Sequence, residues 1–174
     1  YYNVKEFKNE YSDYIDAYFT GKPLKAGWCY NGLVSILNDS IEYLKKGGYS
    51  PEIIGFCWMQ GESDAGSLER VNNYKVLFDN FINDFKKEFS QYLEGCVFVD
   101  AGISEVWNCY REMNAFKKEY ANKQKGFIYV DTIENGLTTK FEPTEAPDIY
   151  HYDCESVIKL GKLFIKNIIN RDEI

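Results

Sequence analysis

"EIIGFCWMQGESDAG", Glu52 to Gly66, decides how the chain is read. Ile53 to Met59 is an unbroken apolar run, too short for a core helix and rich in branched and aromatic residues. Such runs read as strands buried on both faces, the habit of parallel sheets. Gln60, Gly61, Glu62, Ser63 and Asp64 then arrive together. In open parallel sheets, ligands gather at the carboxyl ends of strands. A dense polar cluster at such an end reads as one wall of a site.

Working outward, "CVFVDAGI" (Cys96 to Ile103) and "GFIYVDT" (Gly126 to Thr132) have the same strand character. Helical periodicity fills the intervals. Residues 1–20 carry Val4, Phe7, Tyr11, Tyr14 and Tyr18 at helical spacing, and Gly21, Pro23 and Gly27 break the pattern. Leu33, Ile36, Leu37, Ile41 and Leu44 predict a helix from Tyr30 to Lys46, closed by "KKGG". Leu77, Phe78, Phe81, Ile82, Phe85 and Phe89 predict another over about Asn73 to Tyr92, and a third is expected from Glu105 to Asn122. After a long loop, Asp153 caps a last helix in which Val157, Leu160, Phe164 and Ile168 share a side. Strands alternating with amphipathic helices predict an α/β protein, a three-layer α/β/α sandwich around a parallel sheet. Three strands make a thin sheet, so one or more N-terminal strands are expected upstream of residue 1.

The 174 residues suit one domain spanning 1–174. A net charge of −7 argues against nucleic-acid partners and anionic membranes. Cys29, Cys57, Cys96, Cys109 and Cys154 match no zinc spacing, and Cys57 and Cys96 lie in apolar runs, so they read as buried thiols. No run is long enough to span a membrane, and no signal peptide is visible. The first residue is not Met, so compartment stays unassigned, as does oligomeric state.

The lone histidine, His151, stands in "PDIYHYDCES" with Asp148 three residues earlier. A carboxylate that close can hold one ring nitrogen and leave the other as a general base. The bland alternative is a surface histidine beside a helix cap. The Gln60 amide and the Gly61 main-chain N–H are candidate oxyanion donors. Two rivals exist. "GESDAG" misses the nucleophile elbow G-x-S-x-G by one residue, with Ser63 as its serine. Cys154, in the first turn of the last helix, is a candidate thiol. No cofactor is required, and one histidine leaves no evident metal site.

These residues resemble the carbohydrate acetylesterase branch of the SGNH hydrolases, which includes sialate O-acetylesterases and acetyl xylan esterases. "WMQGESDA" is similar to its block W-x-Q-G-E-S/N-D, "DIYHYDCESVIKLGKLF" to its final D-x-x-H block, and "WNCYREMNAF" to the W-x-x-V-R-x-A-Q stretch between. The resemblance runs from Trp28 to Ile168. It implies a flavodoxin-like SGNH fold and a serine esterase that removes acetyl groups from sugars. His151 is then the base and Asp148 its orienting acid. Gln60 and Gly61 lie on the oxyanion side, and Glu62 is expected to pair with Arg111. Asn114 stands where the branch usually has Gln. The block-II glycine has two candidates, Gly27 and Gly32. Trp28, Trp58 and Trp107 are candidates for lining a sugar cleft, with core packing favoured for Trp58. The branch's first block, G-x-S after a strand, has no counterpart in residues 1–27, where Ser12 falls in a helical pattern. The nucleophile is therefore expected upstream of this chain, which alone would be inert. The alternative is a non-catalytic carbohydrate-binding or scaffold α/β module.

Overall fold

The computed structural model describes residues 27–140 and 148–170. The expected helix over residues 1–20 lies outside them, and so does the side chain of Trp28. The chain divides into two units, Tyr1–Pro51 and Glu52–Ile174.

In the first unit, helix α1 runs from Trp28 to Lys46. Its end is chemically specified. Lys45 and Lys46 occupy the last turn, and Gly48 sits at φ 84°, a left-handed conformation that costs glycine nothing. That turn lets Gly48 N donate to Lys45 O at 2.9 Å and Tyr49 N to Leu44 O at 3.1 Å, which satisfies two terminal carbonyls.

The second unit alternates strands and helices: β1 (Gly55–Trp58), α2 (Leu68–Glu88), β2 (Val97–Ala101), α3 (Tyr110–Lys123), β3 (Phe127–Val130) and α4 (Cys154–Ile169). The strands lie side by side in chain order, all parallel. Cys57 stands opposite Val99, and Val99 opposite Ile128. The side chains of Phe56, Trp58, Phe98 and Phe127 face α2 and α3, where they meet Phe81, Phe85 and Tyr120 at ring distances between 4.7 and 6.2 Å. Trp58 packs in this aromatic layer and donates Nε1–H to the Tyr74 hydroxyl at 3.0 Å. The opposite face is aliphatic: Val97, Val99, Ala101 and Val130 pack with Leu160 and Ile168 of α4. Helices on both faces make the expected three-layer α/β/α arrangement, consistent with a flavodoxin-like fold.

Three local expectations are corrected. β1 is not buried on both faces: Cys57 is exposed, and Ile54, just before the strand, is 49% exposed. It is the edge strand of the described sheet, and α4 packs on β2 and β3. Cys57 is therefore no buried thiol, and Cys29 and Cys154 are exposed as well, while Cys96 and Cys109 are half-buried. Leu77 and Val157 point outward, 63% and 54% exposed. α2 starts earlier than its apolar pattern suggests, capped by Ser67, whose side chain accepts from Arg70 N. Its inward stripe is Val71, Tyr74, Phe78, Ile82 and Phe85, and Leu77 stands one residue, about 100°, off that line. On α4, Leu160 and Ile168 hold the buried line.

Candidate active site

The first wall follows β1. Gly61 is buried with φ 114°, a conformation glycine tolerates and other residues do not. Space demands glycine too: a Cβ here would meet Met113 Sδ at 3.1 Å and Cε at 3.2 Å. The chain then turns, with Ala65 N donating to Gly61 O at 2.9 Å. Cys109 N donates to Ala65 O at 2.8 Å, so the loop is tied to the start of α3. Gln60 is exposed at the mouth of this wall, and Glu62 is half-buried. Ser63 has φ −64° and ψ −32°, ordinary right-handed helical backbone. A nucleophile elbow needs a strained turn at its serine, so the Ser63 alternative lacks its geometry.

The second wall follows β2. Gly102 carries no side chain because three groups crowd it: a Cβ would lie 2.6 Å from the Tyr129 hydroxyl, 3.1 Å from Thr132 Oγ1 and 3.2 Å from Asn114 Nδ2. Its carbonyl accepts from Thr132 Oγ1 and from the Tyr152 hydroxyl, at 3.1 and 3.2 Å. Asn114 gives a definite answer to its open role. Its Oδ1 accepts from Ile103 N at 2.8 Å and its Nδ2 donates to Ile103 O at 2.9 Å, clamping the chain just after the strand.

The third wall carries the histidine. Asp148 Oδ1 accepts from Tyr150 N at 2.9 Å and from His151 N at 3.4 Å, while Oδ2 lies 2.5 Å from His151 Nδ1. One carboxylate thus folds the loop and holds the ring. That hydrogen bond is the main cause raising the His151 pKa above its usual 6.5, with smaller help from the charges of Asp148 and Glu62. The same bond, seconded by Tyr150 N–H, lowers the carboxyl pKa of Asp148. The next residue, Tyr152, anchors the loop: it is buried, and its hydroxyl donates to Thr132 Oγ1 at 2.7 Å. Burial pushes its pKa up to about 12, so it stays a donor. Asp153 caps α4 by accepting from Ser156 N at 2.9 Å and also takes a 2.6 Å bond from Thr138 Oγ1. Trp107 packs on Tyr150 with ring centroids 5.4 Å apart.

The Glu62 charge adds a small push upward to the pKa of both His151 and Tyr152. The expected Glu62–Arg111 pair is absent among the ion pairs of the described residues. Arg111 lies instead with its guanidinium carbon 4.8 Å above the Tyr110 ring. Cys154 is an exposed free thiol, and the His151 ring is engaged by Asp148. Among the described residues no three His, Cys, Asp or Glu side chains converge to hold a metal ion, and no helix is long and apolar enough to cross a membrane.

A family model described as "carbohydrate esterase, sialic acid-specific acetylesterase" matches residues 14–170. The chain belongs to that family. No curated protein and no solved structure matches it. Membership in this sialic acid-specific acetylesterase family supports an esterase of the carbohydrate acetylesterase type, with a carbohydrate as substrate. Reading the sequence alone missed Gly102, Thr132 and Tyr152, which join the second wall to the third. The one available signal was a small-residue pair, Ala101-Gly102, closing an apolar strand.

Proposed function

We propose that this chain supplies the acid–base half of a serine esterase that removes O-acetyl groups from carbohydrates of the sialic acid or xylan type. The observation that carries the reading is the 2.5 Å His151–Asp148 contact at the carboxyl end of the sheet, under the influence of Glu62. Asp148 takes the Nδ1 proton into its hydrogen bond, so Nε2 is the free base. The attacking serine is taken to lie outside the described residues. Its Oγ adds to the acetyl carbonyl as Nε2 removes its proton. The Gln60 amide and the Gly61 N–H receive the oxyanion. Collapse expels the sugar hydroxyl, which takes the proton back from the imidazolium. Water, deprotonated by the same nitrogen, then releases acetate. Trp107 and Tyr150, already packed together, stand beside the base as an apolar wall.

The test uses the full-length protein. His151→Ala is expected to lower aryl-acetate hydrolysis by about 10³-fold or more, as loss of a triad base does. Unchanged hydrolysis removes His151 from the mechanism. Ser63→Ala is expected to leave the rate intact, and its complete loss would return the nucleophile to the loop after β1.

A further inference from the structure

An open cleft of about 360 Å³ lies beside the second wall, lined by Tyr110, Arg111, Asn114, Tyr129, Asp131, Ile133 and Glu134. Its volume falls in the ordinary range of small-ligand sites, about 300–1,000 Å³. It is distinct from the imidazole. The buried node of Gly102, Thr132 and Tyr152 separates them, because Tyr129 and Asn114 crowd Gly102 from the α3 side while Tyr152 bonds its carbonyl. It nevertheless belongs to the same end of the sheet, since Asp131 directly follows β3.

Part of the lining is held before any ligand arrives. Asn114 is locked by its two bonds to Ile103. Asp131 is held by a turn in which Oδ1 accepts from Glu134 N at 3.0 Å and its carbonyl accepts from Asn135 Nδ2 at 2.8 Å. Arg111 rests on Tyr110. Burial, seconded by Asp131 and Asp100, raises the Tyr129 pKa, so its hydroxyl remains protonated. The lining therefore combines carboxylate acceptors, guanidinium and amide donors and two phenols with flat apolar faces. A polyhydroxylated ring needs that combination: paired donors and acceptors for vicinal hydroxyls and an aromatic surface for its C–H face. Charge narrows the class. Arg111 contributes one positive charge against two negative ones from Asp131 and Glu134, inside a chain of net charge −7. A sugar carboxylate entering here would face a net like charge.

We infer that this cleft binds a neutral sugar unit of a carbohydrate chain, adjacent to the unit that carries the acetyl group, and discriminates against carboxylated sugars. Its part in catalysis rests on the esterase reading, whereas the binding itself does not.

Calorimetric titration of the chain, which involves no turnover, tests it. The probes are unacetylated xylotetraose, mannotetraose and cellotetraose, with trigalacturonic acid, whose every unit carries a carboxylate, as the anionic counterpart. At least one neutral tetrasaccharide is expected to bind, with trigalacturonic acid about tenfold weaker or worse. Glu134→Gln and Arg111→Gln, both at exposed positions, should each weaken the neutral ligand by about tenfold, the size expected for losing a hydrogen bond to a charged group. The thermal midpoint of each variant, expected to stay at the wild-type value, separates lost contact from lost fold. Failure of all three neutral probes, tighter binding of trigalacturonic acid, or wild-type affinity in both variants overturns the inference. If the full-length protein cleaves no aryl acetate, the esterase reading falls and the titration still judges the cleft.

Discussion

Two aspartates of this protein each hold a cationic or titrating nitrogen, in opposite surroundings. Asp100 Oδ1 meets Lys117 Nζ at 2.7 Å, with the two side chains 4% and 0% exposed. Asp148 meets His151 at 2.5 Å, with 53% and 72% of those side chains exposed. Desolvation dominates the first pair and raises the Asp100 pKa against the pull of Lys117. Hydrogen bonding dominates the second and lowers the Asp148 pKa. The buried pair joins β2 to α3, with Lys117 also donating to Ala101 O at 3.0 Å and facing the Tyr74 ring. Among the described residues, the exposed pair joins nothing but its own loop. Burial thus assigns one pair to architecture and leaves the other free to exchange protons.

The largest effect expected from breaking this division is kinetic. Asp148→Asn leaves the loop a hydrogen-bonding group but no charge to steady an imidazolium. In the full-length protein, turnover should fall by about 10³ to 10⁴-fold. The pH profile should move with it. A base works only when neutral, and Asp148 holds the His151 pKa above 6.5. The rising limb of the wild-type rate should therefore lie above 6.5, and the variant's limb should shift to lower pH. A limb that does not move would separate Asp148 from the base.

Next in size is a loss of stability at the other pair. Lys117→Met strands a buried carboxylate whose Oδ2 already lacks a partner, and removing one member of a buried pair costs about 3–5 kcal/mol. Urea denaturation should register it. The double variant Lys117→Met with Asp100→Leu should recover most of the loss, because no charge is then left in the core. If the single variant unfolds at the wild-type denaturant midpoint, Lys117 and Asp100 are not the anchor described here.

Smaller than both is the effect of Gly61→Ala. The added methyl meets both a φ of 114° and the Met113 thioether, at a cost of about 1–3 kcal/mol in backbone strain alone. This position also shows what the sequence could and could not disclose. The strand, the turn and the need for glycine were readable from an apolar run ending in Gln60-Gly61-Glu62, because periodicity and backbone freedom are local. His151 and Asp148 were readable for the same reason, since their contact spans three residues. The partners of Arg111 were not: its cleft is made by a helix start and a turn after β3, brought together only by the sheet. Asn114, 11 residues along the chain from Ile103, is hidden in the same way. The exposure of Cys57 escaped because an apolar run does not say whether its strand lies at an edge.

The smallest expected effect falls on the substitution that began the series. Asp148→Asn should leave the thermal midpoint close to wild type, because solvent screens an exposed pair and side-chain ordering cancels most of its attraction. The sign can still be read. A lowered carboxyl pKa contributes stability above 3.8, and a raised imidazole pKa contributes it below 6.5. Whatever the pair adds is therefore fully present between those values, fading as pH falls through the lowered Asp148 pKa or climbs through the raised His151 pKa. Midpoints compared at pH 5 should show the greatest difference between wild type and variant, and at pH 9 the least. A large midpoint loss at pH 5 would mean that the loop holding His151 is itself a structural strut, and the contrast with Lys117–Asp100 would collapse.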